Sequence, residues 1–189
     1  DLRADQLGSI VIKEILKKSN IHKDEIDEVI MGQVLTTANG QNPARQAALN
    51  AGIPNSKPAY LVNQVCGSGL KSVILAYQSI KLGEAKKIIS GGQENMSISP
   101  HSIFYRREKN FSKEKLVDTM LKDGLLDAFN NYHMGVTAEN VAKKFNITRD
   151  QQDNFALESQ RKTQKAILNG NFKDELVNVD YDSIFLDLD

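Results

Sequence analysis

The only cysteine of this 189-residue chain lies in a glycine-rich stretch, NQVCGSGLKSV at residues 63–73. The sequence predicts that Cys66 ends a buried strand and that Gly67-Ser68-Gly69 begins a helix. A helix N-terminus carries free backbone N–H groups and a partial positive charge, which stabilise a thiolate. The same N–H groups stabilise the oxyanion that forms when the sulfur attacks a carbonyl carbon. Cys66 is therefore a candidate nucleophile, placed like the serine of a hydrolase nucleophile elbow.

Two other interpretations of this stretch compete with the nucleophile. A lone cysteine at a turn can be a small buried structural side chain, and this interpretation stays open. The letters GSGLKS also suggest a phosphate-binding loop, which requires one glycine immediately before the lysine and another at the start of the motif. Leu70 and Val65 hold those two positions, so the phosphate-binding loop is rejected.

Alternating strand-like and helical patterns surround the cysteine. Short apolar runs at residues 28–34, 59–65 and 86–92 predict strands, and periodic apolar residues predict helices at 5–18 and 69–84. Another helix is predicted between the first two strands, with a proline in its first turn and a glycine just past its end. Strands that alternate with helices indicate βαβ units and a mainly parallel sheet, so the predicted fold class is α/β.

The character of the sequence changes about halfway along the chain, and we predict a domain boundary there. Residues 1–95 form the predicted α/β domain, and residues 96–189 form a mainly helical domain that begins with a loop-rich segment. Two helices are predicted from Thr137 onward. The second opens with Thr148 and Gln151 at the spacing of a capping box.

The composition excludes several classes of function. Lys plus Arg and Asp plus Glu each number 24, so the chain has no basic excess for binding nucleic acid or a membrane surface. No apolar run reaches the ~18 residues of a membrane span. One cysteine and three histidines, widely scattered, give no metal-ligand spacing. A single cysteine forms no internal disulfide, which favours a reducing cytoplasm as the location.

Three motifs, in this order and spacing, carry a resemblance to a known family. They are NQVCGSG around Cys66, GGQENMS at residues 91–97 and DGLLDAFNNYHMGVTAENVA at residues 123–142. The chain resembles the thiolase family, and most closely its biosynthetic acetoacetyl-CoA branch, from about residue 2 to residue 179. Residues 180–189 show no such likeness.

The resemblance implies a thiolase-like layered half-fold of βαβ units without the family's opening strand, and a mainly helical loop domain that covers CoA. It implies that Cys66 takes the acetyl group of acetyl-CoA and passes it to a second acetyl-CoA, giving acetoacetyl-CoA, with the Cys66 N–H as one oxyanion donor. Leu125, His133 and Met134 are expected to line the pantetheine tunnel. Neither a metal nor a permanently bound cofactor is implied, because CoA thioesters are the substrates. The expected assembly is a homo-oligomer, a dimer or a tetramer, with contacts at residues 97–111.

The resemblance also implies that the activating histidine, a second cysteine and an asparagine-held water belong to the family's second half, which this sequence lacks. A polypeptide of only these residues is therefore expected to be inactive. Three alternatives stay open. They are a non-catalytic CoA-binding or assembly module with the same half-fold, a degradative 3-ketoacyl-CoA thiolase, and a thiol hydrolase in which Cys66 pairs with His101 or His133.

Overall fold

The computed structural model describes residues 2–106, 112 and 115–179 of the chain. By their internal contacts, residues 1–126 form one compact unit and residues 127–189 form another. We call them the first unit and the second unit and describe each by itself. The domain boundary predicted from the sequence falls inside the first unit and stays a prediction.

A three-stranded parallel sheet forms the core of the first unit. Strand β1 (Glu28–Gly32) lies between β2 (Ala59–Val62) and β3 (Ile88–Gly92). Both neighbours run parallel to β1 and are aligned with it, so all three strands end at the same edge of the sheet. The predicted α/β fold class with a parallel sheet is confirmed.

Three helices pack around this sheet. Helix α1 (Ala4–Ser19) lies against α2 (Pro43–Asn50), and α3 (Ser68–Leu82) lies against β1 and β3. The main cluster of buried apolar residues consists of Ile12, Ile26, Val29, Met31, Ala44, Ala47, Ala48, Ile53 and Ile89. Removing such side chains from water, at roughly 25 cal/mol per Å² of apolar surface, is the main favourable contribution to folding.

The ends of α2 follow the residue preferences that predicted this helix. Pro43 occupies its first turn, and the Asn42 side chain accepts a hydrogen bond from the Arg45 N–H at 3.1 Å. Gly52 follows the helix with a φ of 90°, a left-handed conformation that glycine adopts without a steric penalty. The predicted helix between β1 and β2 is confirmed.

Strand β1 is shorter than the sequence pattern predicts, because a distant side chain binds the backbone that follows it. The pattern continues to residue 34, whereas the strand ends at Gly32. The N–H groups of Val34 and Leu35 donate to the Glu94 carboxylate at 2.8 and 3.2 Å. These groups are therefore paired with a side chain instead of a neighbouring strand.

Helix α3 faces the sheet with its small residues. Ser68, Ser72 and Ala76 are buried. The larger apolar side chains share another side of the helix, as the sequence pattern predicts, but they are 40–68% exposed: Leu70, Val73, Ile74, Tyr77 and Ile80. Because small side chains separate the helix from the strands, its backbone approaches the sheet closely.

The remainder of the first unit has little regular structure. Strand β4 (His101–Ser102) pairs antiparallel with β5 (Val117–Asp118). A short π-helix, Leu121–Leu125, follows. This segment connects the sheet to the second unit.

The second unit consists mainly of two helices, α4 (Met134–Phe145) and α5 (Arg149–Leu168). The Thr148–Gln151 capping box at the start of α5 is confirmed, with the Gln151 N–H donating to Thr148 Oγ1 at 3.2 Å. Helix α4 begins before the predicted Thr137. None of the described helices is long and apolar enough to cross a membrane.

Candidate active site

Cys66 lies in the loop that joins β2 to α3. The sequence pattern predicts a strand up to this cysteine, but β2 ends at Val62 and α3 begins at Ser68. The loop departs from strand geometry because Val65 has a φ of 49°, and the Val65 N–H donates to Asn63 Oδ1 at 3.0 Å. The prediction of a helix directly after the cysteine is confirmed. Cys66 is exposed in the described part of the chain, which does not fit a small structural side chain buried within these residues.

Cys66 lines an open cleft of about 330 Å³ at the carboxyl edge of the sheet. The other lining residues come from the ends of β1 and β3, from the following loops and from the start of α3: Gly32, Gln33, Val34, Val65, Ser68, Gly69, Gly92, Gln93 and Glu94. Open α/β sheets bind ligands beyond the carboxyl ends of their strands. In the described part of the chain, no group of three or more His, Cys, Asp or Glu side chains could hold a metal ion.

Gly32 allows the first turn of α3 to lie directly on the strand ends. A Cβ atom on Gly32 would lie 2.4 Å from the carbonyl carbon of Ser68 and 2.5 Å from the Gly69 nitrogen. A Cβ atom on Gly92 would lie 3.5 Å from the Gly69 Cα. Gly32 and Gly92 are paired neighbours in the sheet, so the helix terminus contacts two adjacent strand ends. This contact places the turn that follows Cys66 against the strand ends.

The backbone around Cys66 leaves the N–H of this residue available to a ligand. The Gly67 N–H donates to the Gln64 carbonyl at 3.1 Å, and the Ser68 N–H donates to the Val65 carbonyl at 3.0 Å. Among the described residues, none accepts a hydrogen bond from the Cys66 N–H. An N–H next to a thiol, with no acceptor among the described residues, is suited to stabilise an oxyanion if that thiol attacks a carbonyl carbon.

The described histidines of the first unit are not paired with the Cys66 sulfur. His22 Nδ1 lies 3.1 Å from Asp24 Oδ2, and His101 Nε2 lies 4.0 Å from Asp118 Oδ2. The sulfur makes no hydrogen bond within the residues that the structure describes. The first unit therefore presents an exposed thiol beside its own backbone N–H, and neither of its described histidines is paired with that thiol. The thiol-hydrolase alternative with His101 gains no support from this geometry.

Two buried glutamines at the strand ends belong to the cleft and were not identified from the sequence. Gln93 Nε2 donates to Gln33 Oε1 at 2.9 Å, and Gln33 Nε2 donates to the Leu35 carbonyl at 2.8 Å. Gln93 Oε1 has no hydrogen-bond partner among the described residues and faces Gly8 of α1, where a Cβ atom would lie 1.9 Å away. The sequence signal for this pair is a Gly-Gln dipeptide at the end of both β1 and β3, in which the glycine is the last residue of the strand.

The residues expected in the pantetheine tunnel lie in both units. Leu125 is half-buried at the end of the π-helix of the first unit. His133 and Met134 begin α4 of the second unit, and Met134 is 37% exposed. His133 Nδ1 accepts a hydrogen bond from the Gly135 N–H at 3.0 Å, so the neutral imidazole carries its proton on Nε2. Contact of these residues with CoA stays a prediction.

The turn that leads to His133 is held by the Asp127 side chain. Asp127 Oδ1 accepts hydrogen bonds from the N–H groups of Phe129 and Asn130 and from the Asn130 side chain. The backbone hydrogen bond from Asn130 holds the pKa of the Asp127 carboxyl below its usual value. The Asp127 N–H donates to the Tyr132 carbonyl at 2.8 Å, which closes the turn immediately before His133.

Comparisons with known proteins agree with these observations. The family described as Thiolase, N-terminal domain, matches residues 1–184. An acetyl-CoA acetyltransferase of Paracoccus denitrificans is 50% identical over 95% of this chain and 46% of its own length. An acetyl-CoA acetyltransferase of Rhizobium meliloti is 52% identical over 92% of this chain and 44% of its own length. A probable acetyl-CoA acetyltransferase of Escherichia coli is 51% identical over 93% of this chain and 45% of its own length.

The length of the match and the nature of the matched family lead to one conclusion. The chain spans about half the length of the curated relatives that it matches. The matched family covers almost the whole chain, including the loop of Cys66 and both units. The chain therefore belongs to the thiolase family, whose N-terminal domain it matches.

Proposed function

We propose that the protein to which this chain belongs transfers acetyl groups between molecules of acetyl-CoA, forming or cleaving acetoacetyl-CoA, with Cys66 as the nucleophile. The observation that carries the proposal is an exposed sulfur at a strand-to-helix loop, beside an N–H that has no acceptor among the residues that the structure describes. Relatives that are 50–52% identical and named acetyl-CoA acetyltransferase, one of them as probable, support acetyl-CoA as the substrate. CoA thioesters enter as substrates, and no permanently bound cofactor is part of the proposal.

In the first half-reaction, the Cys66 sulfur attacks the carbonyl carbon of acetyl-CoA. A bond forms between this sulfur and the acetyl carbon, and the Cys66 N–H donates to the oxygen that receives the negative charge. The bond to the CoA sulfur then breaks, and the leaving CoA takes up the proton that the cysteine lost. Exchange between two thioesters is nearly balanced in free energy, so the acyl-cysteine remains reactive.

In the second half-reaction, the acyl-cysteine accepts the carbanion of a second acetyl-CoA. A base removes a proton from the acetyl methyl group, a carbon–carbon bond forms, and the carbon–sulfur bond to Cys66 breaks. The products are acetoacetyl-CoA and the free cysteine, and the reverse direction is thiolysis. We propose that this base lies in the part of a full-length thiolase that these 189 residues do not cover. A polypeptide of only these residues is thus expected to be acetylated on Cys66 without turning over.

The residues proposed to hold the pantetheine arm are Leu125, His133 and Met134. The assignment rests on the resemblance of their motif to the family's loop domain. Leu125 and Met134 offer accessible apolar surface. The Gly135 N–H occupies His133 Nδ1, so Nε2 is the ring nitrogen proposed to bind the pantetheine arm. An apolar lining with a few polar groups is typical of sites that hold such a ligand.

We also propose a homo-oligomer, a dimer or a tetramer, located in the cytoplasm. The assembly rests on the resemblance of residues 97–111 to a segment that makes subunit contacts in relatives. Residues 107–111 of that segment lie outside the described residues. The location rests on the single cysteine, which forms no internal disulfide.

Trapping the acyl-enzyme tests the proposal. The full-length protein is mixed with acetyl-CoA, quenched in acid, digested and examined by mass spectrometry for an acetyl group on the peptide that contains Cys66. Acetylation is expected in the unaltered protein and not in Cys66→Ala, and the unaltered protein should cleave acetoacetyl-CoA when CoA is added. CoA binding without acetylation would instead establish the non-catalytic module. Faster cleavage of long-chain 3-ketoacyl-CoA than of acetoacetyl-CoA would establish the degradative branch.

A further inference from the structure

The hydroxyl of Ser68 binds two backbone groups of the loop that carries Cys66. Ser68 Oγ accepts a hydrogen bond from the Gln64 N–H at 2.9 Å and donates to the Val65 carbonyl at 2.6 Å. The Ser68 N–H donates to the same carbonyl at 3.0 Å. Ser68 is only 4% exposed, so these bonds are shielded from competing water.

The Val65 carbonyl shares its peptide plane with the Cys66 N–H. The peptide is trans, and in a planar trans peptide the C=O and the N–H point in opposite directions. Fixing the carbonyl toward Ser68 therefore fixes the Cys66 N–H away from Ser68. The orientation of the oxyanion donor is thus determined by a residue that does not touch the donor itself.

The loop needs this restraint because its backbone is strained. Val65 has a φ of 49°, and a β-branched residue is an outlier in that region. Relaxation of Val65 would rotate the neighbouring peptides. Each of them is held in place, the one before Val65 by the Asn63 side chain and the Gly67 N–H, and the one after it by Ser68.

We propose that Ser68 is a positioning residue that holds the Cys66 N–H in the orientation required to stabilise the oxyanion during acyl transfer. This inference rests on the proposed function, since it assumes that Cys66 accepts an acyl group. It makes Ser68 important for attack on a carbonyl and unimportant for other reactions of the same sulfur.

Two reagents that react with the same thiolate separate these effects in the full-length protein. With p-nitrophenyl acetate, the Cys66 sulfur bonds to the acetyl carbon through an oxyanion, the ester C–O bond breaks, p-nitrophenolate leaves and the thiol proton passes to water. With iodoacetamide, the sulfur displaces iodide and no oxyanion forms. Peptide mass spectrometry assigns both products to Cys66, and the ratio of the two rates reports on the oxyanion donor.

The Ser68→Ala variant is expected to lower the acylation rate by about 10-fold, while the alkylation rate stays near that of the unaltered protein. The loss is smaller than the ~10²-fold typical for removal of one oxyanion donor, because the backbone N–H of residue 68 still binds the Val65 carbonyl. Ser68→Thr retains the hydroxyl, so its ratio of acylation rate to alkylation rate should stay close to that of the unaltered protein. Ser72→Ala is the matched control, because Ser72 is also buried in α3 and its Oγ donates to the Gly69 and Gly91 carbonyls at 2.7 and 2.8 Å. In Ser72→Ala, the ratio of acylation rate to alkylation rate should equal that of the unaltered protein.

An unchanged ratio in Ser68→Ala, or an equal fall in Ser72→Ala, would overturn the proposal. If Ser68→Ala does not fold, the double variant Val65→Gly/Ser68→Ala replaces it, with Val65→Gly as its reference, because glycine accepts the positive φ without strain. Because p-nitrophenyl acetate carries no CoA, failure of the proposed function appears separately, as absence of acetyl transfer from acetyl-CoA to Cys66. An unaltered protein that is alkylated but not acylated by p-nitrophenyl acetate would overturn the role of the N–H itself.

Discussion

Alanine in place of Gly32 would put a methyl group inside the first turn of α3. The new Cβ atom would lie 2.4 Å from the Ser68 carbonyl carbon, 2.5 Å from the Gly69 nitrogen and 2.6 Å from the Ser68 oxygen. All three are backbone atoms, so no side-chain rotation relieves the overlap. Ordinary contact begins at 3.4 Å, so the helix terminus or β1 must move by about 1 Å (3.4 minus 2.4).

The energetic cost follows from what has to move. Overpacking a well-packed site costs typically about 1–3 kcal/mol, and the upper end applies here because strand and helix backbone must separate. We therefore expect Gly32→Ala to lower the free energy of unfolding by about 3 kcal/mol, which reduces the ratio of folded to unfolded protein about 10²-fold. Acylation of Cys66 in the remaining folded protein should also slow, because the loop of Cys66 rests on the displaced turn.

Urea unfolding followed by circular dichroism measures this cost, and Gly91→Ala provides the control. Gly91 lies in the neighbouring strand, and no atom lies within 4 Å of a Cβ atom built on it. This control should stay within about 0.5 kcal/mol of the unaltered protein. If the unfolding free energy of Gly32→Ala fell by less than about 1 kcal/mol, the close contact between β1 and α3 would be refuted.

Three further predictions concern other parts of the chain. Gly8→Ala should lower the free energy of unfolding by about 2 kcal/mol, because its Cβ would lie 1.9 Å from the buried Gln93 Oε1. Most of this cost should disappear in a Gln93→Ala background, which leaves only the tight 3.2 Å contact with the Ala47 Cβ. Burial, followed by the charge of Glu84, raises the pKa of Glu28 above 4.5, so the charged carboxylate opposes folding. The free energy of unfolding then falls as the pH rises from 4.5 through the raised pKa. Glu28→Gln should therefore raise the free energy of unfolding at pH 7 by less than about 1 kcal/mol, and it should not raise it below pH 4.5. Met134→Ala in the full-length protein should raise the KM for acetyl-CoA about fivefold, with little change in Tm, through loss of apolar contact. An unchanged KM with a lowered Tm would show that this side chain only fills space.

The predictable parts of the fold are those determined by residues close together in sequence. The start of α2 at Pro43 and the Thr148–Gln151 capping box of α5 depend on side chains within one helical turn, and both are confirmed. The end of β1 was not predictable. It depends on Glu94, which binds the Val34 N–H from 60 positions away in the chain. Apolar periodicity carries no information about such a contact.

The candidate site likewise contains some residues that the sequence identifies and others that only the structure identifies. Cys66 could be identified from the sequence because a thiol after a strand pattern and before a glycine-rich helix start suggests nucleophilic chemistry. Ser68 could not, because its importance depends on a positive φ at Val65 and on where the neighbouring carbonyl points. The pairing of Gln33 with Gln93 was indicated by a repeated Gly-Gln dipeptide, but only the parallel register of β1 and β3 brings the two side chains together.

The arrangement around Cys66 is built from backbone groups and small side chains, which determines how substitutions should affect it. A backbone N–H cannot be removed by exchanging the side chain of its own residue. It can be misdirected by rotating its peptide or by lifting the turn on which it rests. The sensitive positions are therefore Gly32, where a Cβ atom would overlap the first turn of α3, and Ser68, whose hydroxyl binds the loop of Cys66. Charged residues of the cleft act less directly, since the Glu94 oxygens are occupied by the N–H groups after β1. We therefore expect the effect of substitutions on acylation of Cys66 to depend on the backbone geometry of its loop more than on the charged side chains of the cleft.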